Sequence, residues 1–420
     1  MSVYPKNCFL EIRHERSGYR NADAQITEPV VFPSLYEDTI APPMSYEEFE
    51  DIFAGGKMLP THQTTKGFPV ASETIPTLLQ IATFWYYLLG KCTTTGTDTA
   101  ITGRNVTYGG TGKIITIDGA ALVASAWIGY VLVVTSGDQI NHYWYITANS
   151  TTTITLEESD TNLPSNLNGD VVKIVGPPYT HAITMANQGD AVPSFTMHGE
   201  WADWSLYMDF LGCVVTEIDQ KLKAEGQVED AVTIDSPYHI AGANRSMPSP
   251  QFLALKNFAW TPHLNVFQVQ YNGTNLDSVT DLRSWVDEIT NNVTRKHIYH
   301  HKGGDSGKTA VTMQEFTWEC KFNYRAQGLQ IDTIRKLQVS SYAGAITWQM
   351  QLYRSATDYI TYAVDKCKLE LPENLKMPSK DDAELIVPVT LKLAPDATGA
   401  AFTITAVDAY SHKYYEDESE

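Results

Sequence analysis

His181–Asp235 reads HAITMANQGDAVPSFTMHGEWADWSLYMDFLGCVVTEIDQKLKAEGQVEDAVTID. Its second half spells a pair of strands. Val215, Ile218, Leu222 and Ala224 are apolar, whereas Glu217, Asp219, Lys221, Lys223 and Glu225 are charged. Glu225-Gly226-Gln227 supplies the turn, and Val228, Val232 and Ile234 mark the returning strand. From Glu217 on, a charge falls at every second position, so the charges project from one face of a sheet. That face is expected to be wet and the other packed.

Upstream, Ser45 with Glu48 reads as a capping box opening a short acidic helix, SYEEFEDIF, which Gly55-Gly56 stops. Leu59–Val70 is expected to be extended. Glu73–Leu89 reads as an apolar helix with Pro76 in its first turn and Gly90 at its end. It is too short to span a bilayer, which needs ~20 apolar residues. After Lys91 the texture changes to Thr and Gly. Strand-like runs at 113–117, 130–135, 142–147, 152–156 and 171–175 then alternate with turns until Gly176-Pro177-Pro178. Residues 93–178 therefore read as a small all-β domain inserted into the surrounding fold.

Downstream, Phe316, Trp318, Cys320, Phe322 and Tyr324 alternate with polar residues and predict a half-buried strand. Asp332–Leu337 reads as a short helix, Ile346–Leu352 as a strand, and Tyr359–Leu371 with Leu385–Leu393 as a second long pair. Extended segment, helix and strand pair thus occur twice. The first repeat covers 1–92 and 179–235, the second 236–420, unless the latter is a C-terminal β domain of another kind. Leu282, Trp285, Val286, Ile289 and Val293 fit one helix face.

The chain has 420 residues and a net charge of −19. Such acidity opposes nucleic-acid binding, which needs clustered Lys and Arg. Five separated cysteines show neither a disulfide framework nor zinc spacing. The N-terminus is too charged for a signal peptide. Gly304-Asp305-Ser306-Gly307 resembles the surroundings of a serine nucleophile, but Lys308 stands where the oxyanion hole needs glycine. Lys302–Thr309 and Thr107–Lys113 imitate phosphate loops and lack the first glycine. His297, His300 and His301 have helical spacing and read as solvated beside Lys296 and Lys302. No catalytic residue, cofactor or metal site is expected.

A histidine leading into a strand (His181), Pro193-Ser194-Phe195-Thr196, Gly212-Cys213-Val214 and the closing Glu225-Gly226-Gln227-Val228 together resemble the tail tube proteins of long-tailed bacteriophages and head-tailed archaeal viruses. The resemblance covers Lys57–Lys91 and Tyr179–Asp235 and otherwise follows element order, in which 282–293 would be a strand. It implies a mainly β tube fold and self-assembly into stacked rings, trimeric with duplicated repeats or hexameric without. Such a tube is an acidic conduit for genome ejection. The implied partners are further copies, a tape-measure protein and transiting double-stranded DNA, with no membrane. The implied place is the virion tail, assembled in the host cytoplasm. Glu217, Asp219, Lys221, Lys223 and Glu225 become candidates for the lumen wall, a solvated outer face being the alternative. Another tail ring protein (baseplate or terminator) fits the same elements. A carbohydrate-binding β-protein would use the 9 Trp and 23 Tyr.

Overall fold

The computed structural model describes residues 8–15, 30–32, 48–52, 62–66, 71–79, 81–99, 101–108, 114–119, 122–137, 143–156, 167–201, 206–223, 227–236, 238–241, 264–271, 274–275, 286–301, 308–326, 346–370, 385–394 and 401–409. The chain is mainly β, as expected. It begins with β1 (Cys8–His14), β2 (Val30–Phe32), β3 (Glu48–Ile52), β4 (His62–Lys66), β5 (Ala71–Leu78) and helix α1 (Thr83–Leu89). Next come β6 (Gly90–Asp98), β7 (Arg104–Tyr108), β8 (Ile114–Ile117), β9 (Val131–Ser136), β10 (Tyr143–Asn149), β11 (Thr153–Leu156) and β12 (Val171–Met185). The first half closes with β13 (Phe195–Trp201), β14 (Leu206–Lys223), β15 (Glu229–Ser236) and β16 (Tyr238–Ala241). The second half holds β17 (Leu264–Tyr271), β18 (Thr274–Asn275), β19 (Val286–His301) and β20 (Lys308–Ala326). It ends with β21 (Ile346–Ser355), β22 (Asp358–Glu370), β23 (Leu385–Leu393) and β24 (Phe402–Asp408).

Seven antiparallel strands stand side by side in the order β5-β15-β14-β19-β20-β23-β22 and form a wall. β14 and β22 belong to it with their C-terminal parts. Their N-terminal parts carry flanking strands, β13 and β16 on β14, β21 and β24 on β22. One core fills the space between. Ile75, Ile218, Val232, Val293, Trp318 and Val389 reach it from the wall, and Phe195, Phe210, Phe267, Trp348, Tyr362 and Phe402 from the flanking strands. α1 lies inside, every residue of it buried. Trp85 meets Tyr362 edge-on at 5.3 Å, and Tyr87 packs on Phe195 at 4.5 Å. Each large side chain so buried stabilises by roughly 1.5–3 kcal/mol. The last turn of a buried helix needs partners for its carbonyls. Gly90 N donates to Tyr86 O, Ala186 N to Leu89 O, and the buried Arg295 guanidinium to Leu88 O at 2.9 Å.

The two halves pair their strands in the same order. β1-β13-β14-β16 in the first matches β17-β21-β22-β24 in the second, and β5-β15-β14 matches β20-β23-β22. Even the irregularities agree. Phe195 faces Cys213 and Met197 faces Phe210, so a bulge lies between; Ile346 faces Cys367 and Trp348 faces Val364 with the same offset. Among the described residues the second half has no counterpart of the β6–β12 pair.

Residues 101–174 gather a cluster of their own around Trp144, Ile154, Leu132 and Ile174. Two strands run unbroken from it into the main body, β6 and β12, paired on both sides of a register shift between Gly176 and Thr180. Packing is tight there. A side chain at Gly176 would collide with the ring of Tyr130, and one at Gly96 would crowd Tyr179 and Val175. Lys173 pairs with Asp98 at 3.0 Å, and Thr99 N donates to Ile174 O.

Three expectations need correction, and one open alternative is decided. Glu48–Ile52, read as part of a helix, is a strand paired with His62–Lys66. The helix expected over 73–89 begins only at Thr83, because Glu73–Leu78 pairs with β15 and Pro76 sits opposite Ala231. Residues 286–293, open between a helix face and the strand of the family order, are strand. Gly176-Pro177-Pro178 does not end an element, since β12 continues through it to Met185. The remainder of the acidic helix, the 332–337 helix and the Gly304–Gly307 loop lie outside the described residues.

Candidate functional surface

Strict alternation gives the wall two unlike faces. On β14, Ile218, Gln220 and Leu222 are buried, while Glu217, Asp219, Lys221 and Lys223 face outward. Residues opposed in an antiparallel ladder share a face. The outward set therefore continues through Thr233 on β15, Thr290, Asn292 and Thr294 on β19, Glu319 and Lys321 on β20, Thr390 and Lys392 on β23, and Lys368 and Glu370 on β22. Of the five residues predicted here, four stand together on this surface; Glu225 lies outside the described residues.

Charges on it alternate in sign. Lys221 approaches Asp219 at 3.4 Å, Lys321 lies 3.0 Å from Glu319, and Lys392 lies 2.7 Å from Glu370, which Lys368 also reaches at 3.0 Å. Asn292 donates to Glu217 at 2.6 Å. Hydrogen bonds from Lys392 and Lys368 hold Glu370 below its ordinary range. Exposed pairs of this kind contribute little to stability. Their effect is on the surface itself, which is hydrated and of mixed sign; the strong acidity of the chain is not concentrated here.

Behind the wall runs a buried chain of polar side chains that the alternation alone did not reveal. Trp318 Nε1 donates to Asn291 Oδ1 at 2.7 Å, and Asn291 Nδ2 lies 3.4 Å from Gln220 Oε1. Gln220 Nε2 in turn donates to Asp230 Oδ1 and to Tyr362 Oη, both at 3.0 Å. These residues come from β20, β19, β14, β15 and β22, so the chain ties the two halves together. Burial pushes the Asp230 carboxyl up to about 7 and the Tyr362 hydroxyl well above its usual value. On the outward side of Asp230 an open depression of about 330 Å³ is lined by Pro76, Thr77, Asp219, Lys221, Glu229, Asp230 and Ala231. Gln220 occupies an inward position between Ile218 and Leu222; a polar residue at such a position is the signal that could have found the network.

A second buried centre gathers Ser194, Thr196 and Gly212, three of the residues on which the family resemblance rests, around Glu15. Glu15 Oε2 accepts from Ser194 Oγ at 2.5 Å, and Oε1 accepts from Thr196 Oγ1 at 2.8 Å and from Gly212 N at 2.9 Å. Gly212 has φ +68°, the left-handed region that favours glycine. The carboxylate thereby satisfies the backbone donor that the β13–β14 bulge frees.

Other arrangements with a chemical look are structural in their surroundings. Thr94 Oγ1 lies 2.9 Å from His181 Nδ1, and His181 Nε2 lies 3.2 Å from Asp408, in the order of a hydrolase triad. His181 is wholly buried, on a strand between β6 and β24, which a substrate carbonyl could not approach. The histidine group 297, 300 and 301 is corrected too. It lies on a strand, where His297 is buried against Asp235 at 3.2 Å, while His300 bonds Thr312 at 2.9 Å. Burial would raise the Asp235 carboxyl, but hydrogen bonds from His297, Ser72 and Tyr299 hold it below the usual range. Among the described residues no cluster of three His, Cys, Asp or Glu could hold a metal, and no helix is long and apolar enough to cross a membrane. No protein-family model and no curated protein matches the chain.

Proposed function

We propose that the protein is a structural subunit of a viral tail tube. Copies join sheet to sheet into rings, the rings stack, and the polar face of the wall lines the channel through which the genome leaves. The observation that carries this reading is the wall itself: seven strands wide, packed on one face, hydrated and of mixed sign on the other, with β5 unpaired at its outer edge among the described residues. An open edge of eight residues invites aggregation unless a partner closes it. Lysines that stand beside carboxylates hold phosphates weakly and let DNA slide. Catalysis has no part in this reading.

Strand geometry supports three chains per ring. Strands lie about 4.8 Å apart and tilt by about 35–45° in closed barrels, so three walls give a backbone cylinder roughly 40 Å across. Inward side chains leave a bore that fits a DNA duplex. Six walls would double the diameter and leave the duplex loose. Matching strand order in the two halves supports the same choice, because three chains then supply six equivalent units. Negative-stain microscopy of the purified protein should show rings or tubes with an open bore, and native mass measurement should give three chains per ring. Compact monomers without a bore would overturn the reading.

A further inference from the structure

The matching halves also say where one copy meets the next. In the second half β20 is covered on its outer side by β19, and β19 pairs in turn with β14 of the first half. In the first half the counterpart of β20 is β5, and among the described residues nothing covers its outer side. We infer that the outer edge of β5 is the joint to a second copy of this chain, closed by a strand as β19 closes β20. This rests on the proposal that copies form rings. A head-to-tail contact between unlike edges is the kind that closes a ring.

The hydrogen-bond phase of β5 shows which groups the joint would use. Leu79 N donates to Val228 O at 3.0 Å, which makes Leu79–Val228 a hydrogen-bonded pair. Such pairs alternate along an antiparallel ladder. Glu73, Ile75 and Thr77 therefore turn their backbone groups toward β15, while Ser72, Thr74, Pro76 and Leu78 turn theirs outward. The close Thr74–Thr233 hydroxyl contact, 2.8 Å, agrees with a non-hydrogen-bonded pair. Pro76 thus lacks its N–H on the outer side, where it costs the existing ladder nothing. It also removes one donor from the joint, so an incoming strand gains most from Ser72, Thr74 and Leu78.

Residue-resolved amide exchange on the full chain, unassembled and assembled, tests this. The amides of Glu73, Ile75, Thr77 and Leu79 should be protected in both states. Those of Ser72, Thr74 and Leu78 should exchange freely in the unassembled chain and slow at least tenfold on assembly. Thr74→Pro should lower the assembled fraction at least tenfold, whereas Thr74→Val, which loses the same hydroxyl but keeps the N–H, should assemble like the parent. If rings form while Ser72, Thr74 and Leu78 stay fast, the joint is elsewhere and the tube reading stands. If those amides slow in an oligomer without a bore, the joint stands and the tube reading falls. A chain that stays monomeric at all concentrations overturns both.

Discussion

The two bulges, one in each half, are built on the same pairing by different chemistry. At the first, Gly212 adopts a left-handed conformation and Glu15 collects three donors. At the second, Lys366 stands in the place of Gly212. Both keep a buried cysteine at the same position, and both thiols donate to a carbonyl of their own hairpin, at 3.3 Å and 3.2 Å. Burial pushes the Cys367 thiol up to about 12 and Cys213 in the same direction, so both act as small hydrophobes. A second difference lies in the wall. Asp230 faces the core where the equivalent position of β23 holds Val387, likewise buried. What the comparison teaches is that apolar character and strand register are shared by the halves, while the carboxylates buried at Glu15 and Asp230 are particular to the first.

The largest expected effect concerns Asp230. A carboxyl titrates near 3.9 in an unfolded chain, and Asp230 titrates at about 7 in the fold. Below pH ~4 both states hold the proton and the site costs nothing. As pH rises from there to 7 the unfolded state releases its proton first, so stability falls; above 7 the loss is complete. Asp230→Asn, which keeps an acceptor for Gln220, should stabilise the protein by up to about 4 kcal/mol at pH 8 and by almost nothing at pH 4. Urea titrations at the two pH values measure it, and an equal gain at both would show that the buried charge is not the cause.

Next in size is Glu15→Ala, which leaves the Gly212 N–H and two hydroxyls without their acceptor. It should cost about 3 kcal/mol in denaturant unfolding, while Lys366→Ala at the second bulge stays within about 0.5 kcal/mol. Equal costs would mean that the clamp contributes no more than its counterpart. Gly212→Ala should cost about 1–2 kcal/mol for the left-handed backbone. Smallest are Cys213→Ala and Cys367→Ala, about 1 kcal/mol each and alike; a large difference in thermal midpoint between them would break the equivalence of the halves.

The wall was legible because alternation carries register information in itself: Glu217 to Lys223 showed which side faces water before any partner strand was known. Failures fell where local and long-range signals compete. Ile75–Leu89 is largely apolar, so little that is local separates an edge strand ending at Leu78 from the helix that starts at Thr83. Pro76 fits a helical first turn and an outward-facing edge position equally well. The 286–293 segment has an apolar spacing that a helix also satisfies, and pairing with β14 and β20 decides it. Glu15 was not legible, for its partners lie about 180 residues further along the chain.

The joint between residues 101–174 and the main body has a mechanical consequence. Load applied to the outer part along β6 and β12 would reach the body through two strands at once, paired with each other on both sides of the shift between Gly176 and Thr180. Pulled in that direction, both strands carry the tension together and their ladder holds them side by side, whereas a single-strand tether could swivel. The outer part is thus attached like a bracket rather than a pendant, and it would turn with the subunit when the subunit turns.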